Sequence, residues 1–158
     1  FICPRHPERS TEILKAARKM NFRSELYSQL GEQDYEVCII DSIGLLQNFY
    51  HMADLAFVGG SLVPRGGHNF IEPATMGTPI IIGNYTFNFE EIAQQFIQSN
   101  SCIIVLNEQE LLEGITSILD DSDFAMQLAE NAKNLVARNE GSTQTQVSYI
   151  IDKLGALH

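Results

Sequence analysis

The feature that most constrains this chain is an alternation. Short continuous apolar runs at residues 1–3, 36–40, 55–58, 79–82 and 102–105, and a less regular one at 23–28, are separated by stretches with helical spacing. Several of the runs are unbroken Val, Ile, Leu and Phe, the pattern of strands covered on both faces of a parallel sheet. Between them, residues 8–20 follow Pro7 and carry Ile13, Leu14 and Ala17, and residues 42–53 carry Leu45, Leu46 and Phe49. A short helix is expected near Asn69. Residues 88–99 carry Phe89, Ile92, Ala93 and Phe96, and residues 108–119 carry Leu111, Leu112, Ile115 and Ile118, each set on one helical face. After residue 105 the strand signal stops. Residues 122–138 and 142–154 read as two further helices, split at Glu140-Gly141, with Ser122 and Ser142 as N-caps. The order predicts an α/β domain built on an open, doubly wound parallel sheet, with ligands at the carboxyl ends of the strands.

The 158 residues suit one domain, 1–158. The net charge of −10 argues against nucleic acid as a partner. Six of the ten basic residues fall within residues 1–23, and between Arg23 and Lys133 the only Lys or Arg is Arg65. A lone cation in a glycine-rich loop suggests an anionic ligand, although a solvated surface Arg reads the same way. Cys3, Cys38 and Cys102 are too scattered for a disulfide framework or a zinc site, and their apolar settings predict buried free thiols. None of the four histidines, His6, His51, His68 and His158, forms an HxxxH pair or joins a carboxylate cluster, so no metal site is expected. No apolar run approaches the ~18 residues of a membrane span. The chain opens inside a strand-like run with no initiating Met, so an upstream part is expected.

The chemically unusual residues follow strands. After the run at 55–58 comes Gly59-Gly60-Ser61-Leu62-Val63-Pro64-Arg65-Gly66-Gly67-His68-Asn69-Phe70-Ile71-Glu72-Pro73-Ala74, with four of the eleven glycines in two pairs. Glycines let backbone amides approach a ligand closely, and the amides of a helix starting near Asn69 would favour an anion. Ser61, Arg65 and His68 could add donors. A turn that merely needs glycine remains the competing reading. Glu72 reads either as a carboxylate complementing a helix start or as an acceptor for a ribose diol. Pro4 and Pro7 fix the backbone around Arg5 and His6, where Arg5 could pair with a phosphate or carboxylate. Arg9, on the first turn of a helix, opposes the helix dipole, which favours a non-structural use. After the run at 79–82, Asn88 is either an N-cap or a ligand contact.

These residues resemble the 3-deoxy-D-manno-octulosonic acid (Kdo) transferase family. Gly59-Gly60-Ser61-Leu62-Val63, Gly66-Gly67-His68-Asn69 and Glu72-Pro73-Ala74 look like that family's signature. Arg5-His6-Pro7-Glu8-Arg9 matches its RHPER segment, Asp41-Ser42-Ile43-Gly44 resembles its DTMGEL segment, and Gly83 through Phe89 is similar to its G-P-x-T-F-N-F stretch. Leu45, Phe70 and Asn84 depart from it, standing where Glu, Pro and Pro are usual. The resemblance implies the Rossmann-like C-terminal half of a GT-B fold. It implies a donor site for CMP-Kdo formed by Arg5, His6, Gly59, Gly60, Ser61, Gly66, Gly67, His68, Asn69 and Glu72, with Arg65 and Asn88 as further candidates. It also implies inverting transfer of Kdo to a lipid A precursor of lipopolysaccharide, with no metal or cofactor. The full-length protein would sit at the cytoplasmic face of the bacterial inner membrane. A separate N-terminal domain would supply the catalytic base, acceptor contacts and membrane association, so no catalytic residue is expected here and this chain alone is expected to be inactive. Rival readings are another GT-B enzyme using a UDP-sugar, transferase or 2-epimerase, and a non-catalytic nucleotide-binding module.

Overall fold

The structure is a computed structural model that describes residues 1–31 and 34–155, with side chains to residue 139. It divides into two compact units, Phe1–Phe49 and Tyr50–His158.

In the first unit, β1 (Ser24–Leu26) pairs in parallel with β2 (Val37–Ile39), matching Leu26 with Ile39. The run at 1–3 contributes a single bridge, Ile2 to Ile39, rather than a strand. Helix α1 (Ser10–Lys19) follows a 3-10 turn at Pro7–Arg9 and buries Leu14 and Ala17. Leu14 packs with Leu26 and Ile39. The helix stops because Asn21 takes a left-handed φ of 66°, letting Phe22 N donate to Ala17 O. Arg9, which opposes the helix dipole, lies 3.4 Å from Glu12 in an exposed pair. Asp41 accepts from both the hydroxyl and the amide of Ser28, and the hydroxyl bond is the main reason its pKa lies below the ordinary carboxylate value.

α2 (Leu46–Met52) carries the chain into the second unit. There β3 (Ala56–Val58), β4 (Ile80–Gly83) and β5 (Ile103–Val105) form a parallel sheet in the order β3-β4-β5. β4 is central and buried along its whole length, which is why its sequence is an unbroken Ile run. One cluster joins Val58, Phe70, Ala74, Ile80, Ile82, Ala93, Phe96, Ala132 and Val136, and another joins Ile81, Val105, Ile118 and Leu128. The two clusters take alternate residues of β4, so the sheet is covered on both faces by α3 (Ile71–Met76), α4 (Glu90–Gln98), α5 (Glu108–Asp120) and α6 (Ser122–Gly155).

Besides the run at 1–3, other sequence expectations change. The helices expected at 122–138 and 142–154 are one, because Gly141 costs a helix interior only about 1 kcal/mol and no proline follows. Ser142 therefore falls inside α6 rather than at a cap, and Asp121, not Ser122, caps it by accepting from Phe124 N at 2.9 Å. Cys3 is exposed and Cys38 is buried, whereas Cys102 is half-buried, with desolvation pushing its thiol up to about 12. His158 lies outside the described residues.

Two outcomes follow. Ile82→Ala should cost about 2–5 kcal/mol in urea unfolding, because the site is fully buried between rigid neighbours. Ser28→Ala should raise the Asp41 pKa toward its ordinary value in an NMR titration. A depressed carboxylate contributes stability above its unfolded pKa that is lost as pH falls through the folded one. The variant should therefore be less stable at neutral pH and lose that contribution at a higher pH than the wild type.

Candidate functional site

The glycine-rich segment leaves the carboxyl end of β3, in the second unit, where a parallel sheet receives ligands. Ser61 is fully buried. Its hydroxyl donates to Val58 O at 2.5 Å and accepts from Gly83 N at 2.8 Å, so it joins the ends of β3 and β4. That hydroxyl is spent within the protein, and what Ser61 has left for a ligand is its amide.

The loop then folds back on itself. Gly67 N donates to Gly60 O at 3.2 Å, bringing the two glycine pairs together. Gly66 has a φ of 86°, and a Cβ there would sit 2.5 Å from both Phe87 and Asn88, so only glycine fits. The His68 ring lies beside the first pair, with Nε2 3.5 Å from where a Cβ on Gly60 would be. Among the described residues, the amides of Gly60, Ser61 and Gly66 donate no hydrogen bond within the protein. The same holds for the amides of Leu62, Val63 and Asn69, so the loop offers several amides to an anion.

The helix start carries less of the site than its sequence suggests. α3 begins at Ile71 rather than Asn69 and is six residues long. The Ile71 amide is already taken by Asn69 Oδ1 at 2.9 Å, and Asn69 Nδ2 donates to Glu72 Oε1 at 3.0 Å. Asn69 thus ties the loop to the first turn and fixes Glu72. Glu72 is half-buried, and its second oxygen accepts none of the hydrogen bonds among the described residues. Arg65 is exposed and makes no salt bridge among the described residues.

Asn88 is neither the cap of α4 nor turned to solvent alone. Phe89 holds the N-cap position, and Asn88 Nδ2 donates to Arg65 O at 3.1 Å and Gly67 O at 3.4 Å. Arg5 and His6 lie on the first unit, both exposed, with His6 Nδ1 3.4 Å from Glu8 Oε1. In the turn after β4, which the sequence marked by its motif and by Asn88, the contribution of Gly83 and Tyr85 was not read. Tyr85 N donates to Ser61 O at 2.9 Å, and a Cβ on Gly83 would meet the Ser61 carbonyl at 2.2 Å. A glycine closing an otherwise apolar strand is the signal that marks such a close backbone approach.

A family model for glycosyl transferases group 1 matches residues 22–135. Among solved structures, the C-terminal CMP-Kdo binding domain of WaaA from Acinetobacter baumannii superposes with a TM-score of 0.78 at 32% identity, over 84% of this chain and 70% of that one. This chain belongs to the glycosyl transferase group 1 family, in its Kdo transferase branch. The Kdo transferase of Haemophilus influenzae is 32% identical over 147 residues, which is 91% of this chain and 34% of that protein. That of Bordetella pertussis is 31% identical over 158 residues, or 98% of this chain and 37% of that protein. The chain therefore spans about a third of the length of these curated relatives. Its fold is the Rossmann-like α/β class of a GT-B C-terminal domain: the alternation of runs and helices predicted the α/β class, and the family resemblance implied the GT-B half.

Within this family member, Gly83 can be tested directly. Gly83→Ala must displace the Ser61 peptide, a backbone group that cannot swing aside, and should cost about 1–3 kcal/mol in urea unfolding. Gly31→Ala meets nothing within 4 Å and serves as the control, within about 0.5 kcal/mol of wild type.

Proposed function

We propose that this chain is the donor-binding part of a glycosyltransferase that moves Kdo from CMP-Kdo to a lipid A precursor in lipopolysaccharide biosynthesis. The observation that carries the reading is the loop at the carboxyl end of β3. Its glycine-rich backbone leaves amides that donate no hydrogen bond among the described residues, in a fold that aligns with a CMP-Kdo binding domain.

The donor bears a phosphate and a sugar carboxylate. When the bond to Kdo breaks, negative charge grows on the departing CMP. In this reading the amides of Gly60, Ser61 and Gly66 receive the phosphate and stabilise that charge without a metal or cofactor. Gly59, Gly67 and Asn69 give the loop its shape, and the His68 ring lies over the first glycine pair. Glu72, oriented by Asn69, offers its other oxygen to the ribose hydroxyls. The assignment of Arg5 and His6 to the donor rests on their sequence motif alone, and Arg65 is a surface cation available for steering the anion. Transfer with inversion, the catalytic base, acceptor binding and residence at the cytoplasmic face of the inner membrane belong to the full-length protein in this proposal. Among the described residues, no helix is long and apolar enough to cross a membrane.

Calorimetric titration tests the reading. CMP should bind more tightly than UMP, and Glu72→Ala should weaken CMP binding by roughly 1–3 kcal/mol, the cost of losing hydrogen bonds to a charged group. A preference for UMP would favour a UDP-sugar enzyme, and unchanged affinity in the variant would remove Glu72 from the site.

A further inference from the structure

Asn88 grips three consecutive carbonyls of the glycine loop. Its side-chain amide donates to Arg65 O at 3.1 Å and Gly67 O at 3.4 Å, and its backbone amide donates to Gly66 O at 3.3 Å. The position is exposed, so packing alone does not account for three bonds made by one residue to one loop.

A trans peptide is planar, and its C=O and N–H point in opposite directions. Pulling the Arg65 carbonyl toward Asn88 therefore turns the Gly66 N–H away from it. Pulling the Gly66 carbonyl the same way turns the Gly67 N–H away, and that group closes the loop by donating to Gly60 O. The neighbouring turn acts in the same sense on the Leu62 N–H, since Tyr85 N holds the Ser61 carbonyl. One side of the loop is thus a row of carbonyls fastened to the segment after β4, and the Leu62 and Gly66 amides belong to peptides turned the other way, an arrangement suited to an anion. Carbonyls left unfastened could rotate and present their negative ends to that anion.

We propose that Asn88 is a positioning residue for the donor phosphate, acting through the loop and not by touching the ligand. The inference rests on the donor-site reading above and names what holds that site in its binding form. It separates Asn88 from the residues that contact CMP, with which its motif groups it.

The experiment compares the wild type with Asn88→Ala and Asn88→Asp. It measures binding of CMP and of cytidine, which lacks the phosphate, and amide exchange across residues 59–68. We expect Asn88→Ala to weaken CMP binding roughly tenfold, as losing a pair of hydrogen bonds would, with cytidine binding unchanged within about twofold. Asn88→Asp keeps the shape but sets a carboxylate against two carbonyls, and should lose more. Exchange across the loop should quicken in both variants. Equal losses for CMP and cytidine would overturn the proposal, as would unchanged exchange, which with weaker CMP binding would make Asn88 a direct contact. If the wild type binds no CMP, the donor reading fails, and with it the phosphate role. Exchange then separately decides whether Asn88 holds the loop.

Discussion

The second unit depends on one buried hydroxyl. Ser61 Oγ takes a hydrogen from Gly83 N and gives one to Val58 O, so the ends of two neighbouring strands are fastened just where the chain leaves them. An unpaired hydroxyl at such a depth would cost about 1–3 kcal/mol, and here both strand ends pair with it. The fastening only works because Gly83 has no side chain to hold the Ser61 peptide off. Once the strand ends are joined, the turn that follows β4 lies within reach of the loop that follows β3. Tyr85 and Asn88 can then fix its carbonyls.

Much of the fold was legible in the residues. The central strand is a run of Ile because both of its faces are covered, and the helices between strands carry apolar residues at the spacing that covers them. The segment at 1–3 reads as a strand by composition but contributes one bridge, because a strand needs a continuous partner that composition does not reveal. The uninterrupted α6 was missed for the opposite reason. A lone glycine weakens a helix by less than the rest of the helix supplies, so a local breaker does not decide a long element.

The candidate site was legible at the level of loops and less so at the level of atoms. Paired glycines after a strand pointed to open amides, and the positive φ values of Gly60, Gly66 and Gly67 agree with that use. Several side chains considered for the ligand also bond within the scaffold. The Ser61 hydroxyl joins strands, Asn69 ties the loop to the first turn of α3 and orients Glu72, and Asn88 braces. Polar residues look alike in a sequence whether they face a ligand or a backbone, since both uses demand the same short, directional hydrogen bonds. Only the positions of their partners, the Gly83 amide for Ser61 and the Arg65 and Gly67 carbonyls for Asn88, all distant in the chain, separate the two.

The central claim is that backbone amides of this loop, held outward by the turn after β4, receive the phosphate of a cytidine nucleotide. An NMR titration of the 15N-labelled chain with CMP and then with cytidine reads those amides one by one. The account predicts that the Gly60, Ser61 and Gly66 signals move on adding CMP and stay near their free positions with cytidine. Signals that respond equally to both ligands, or that stay still while resonances elsewhere move, would contradict it.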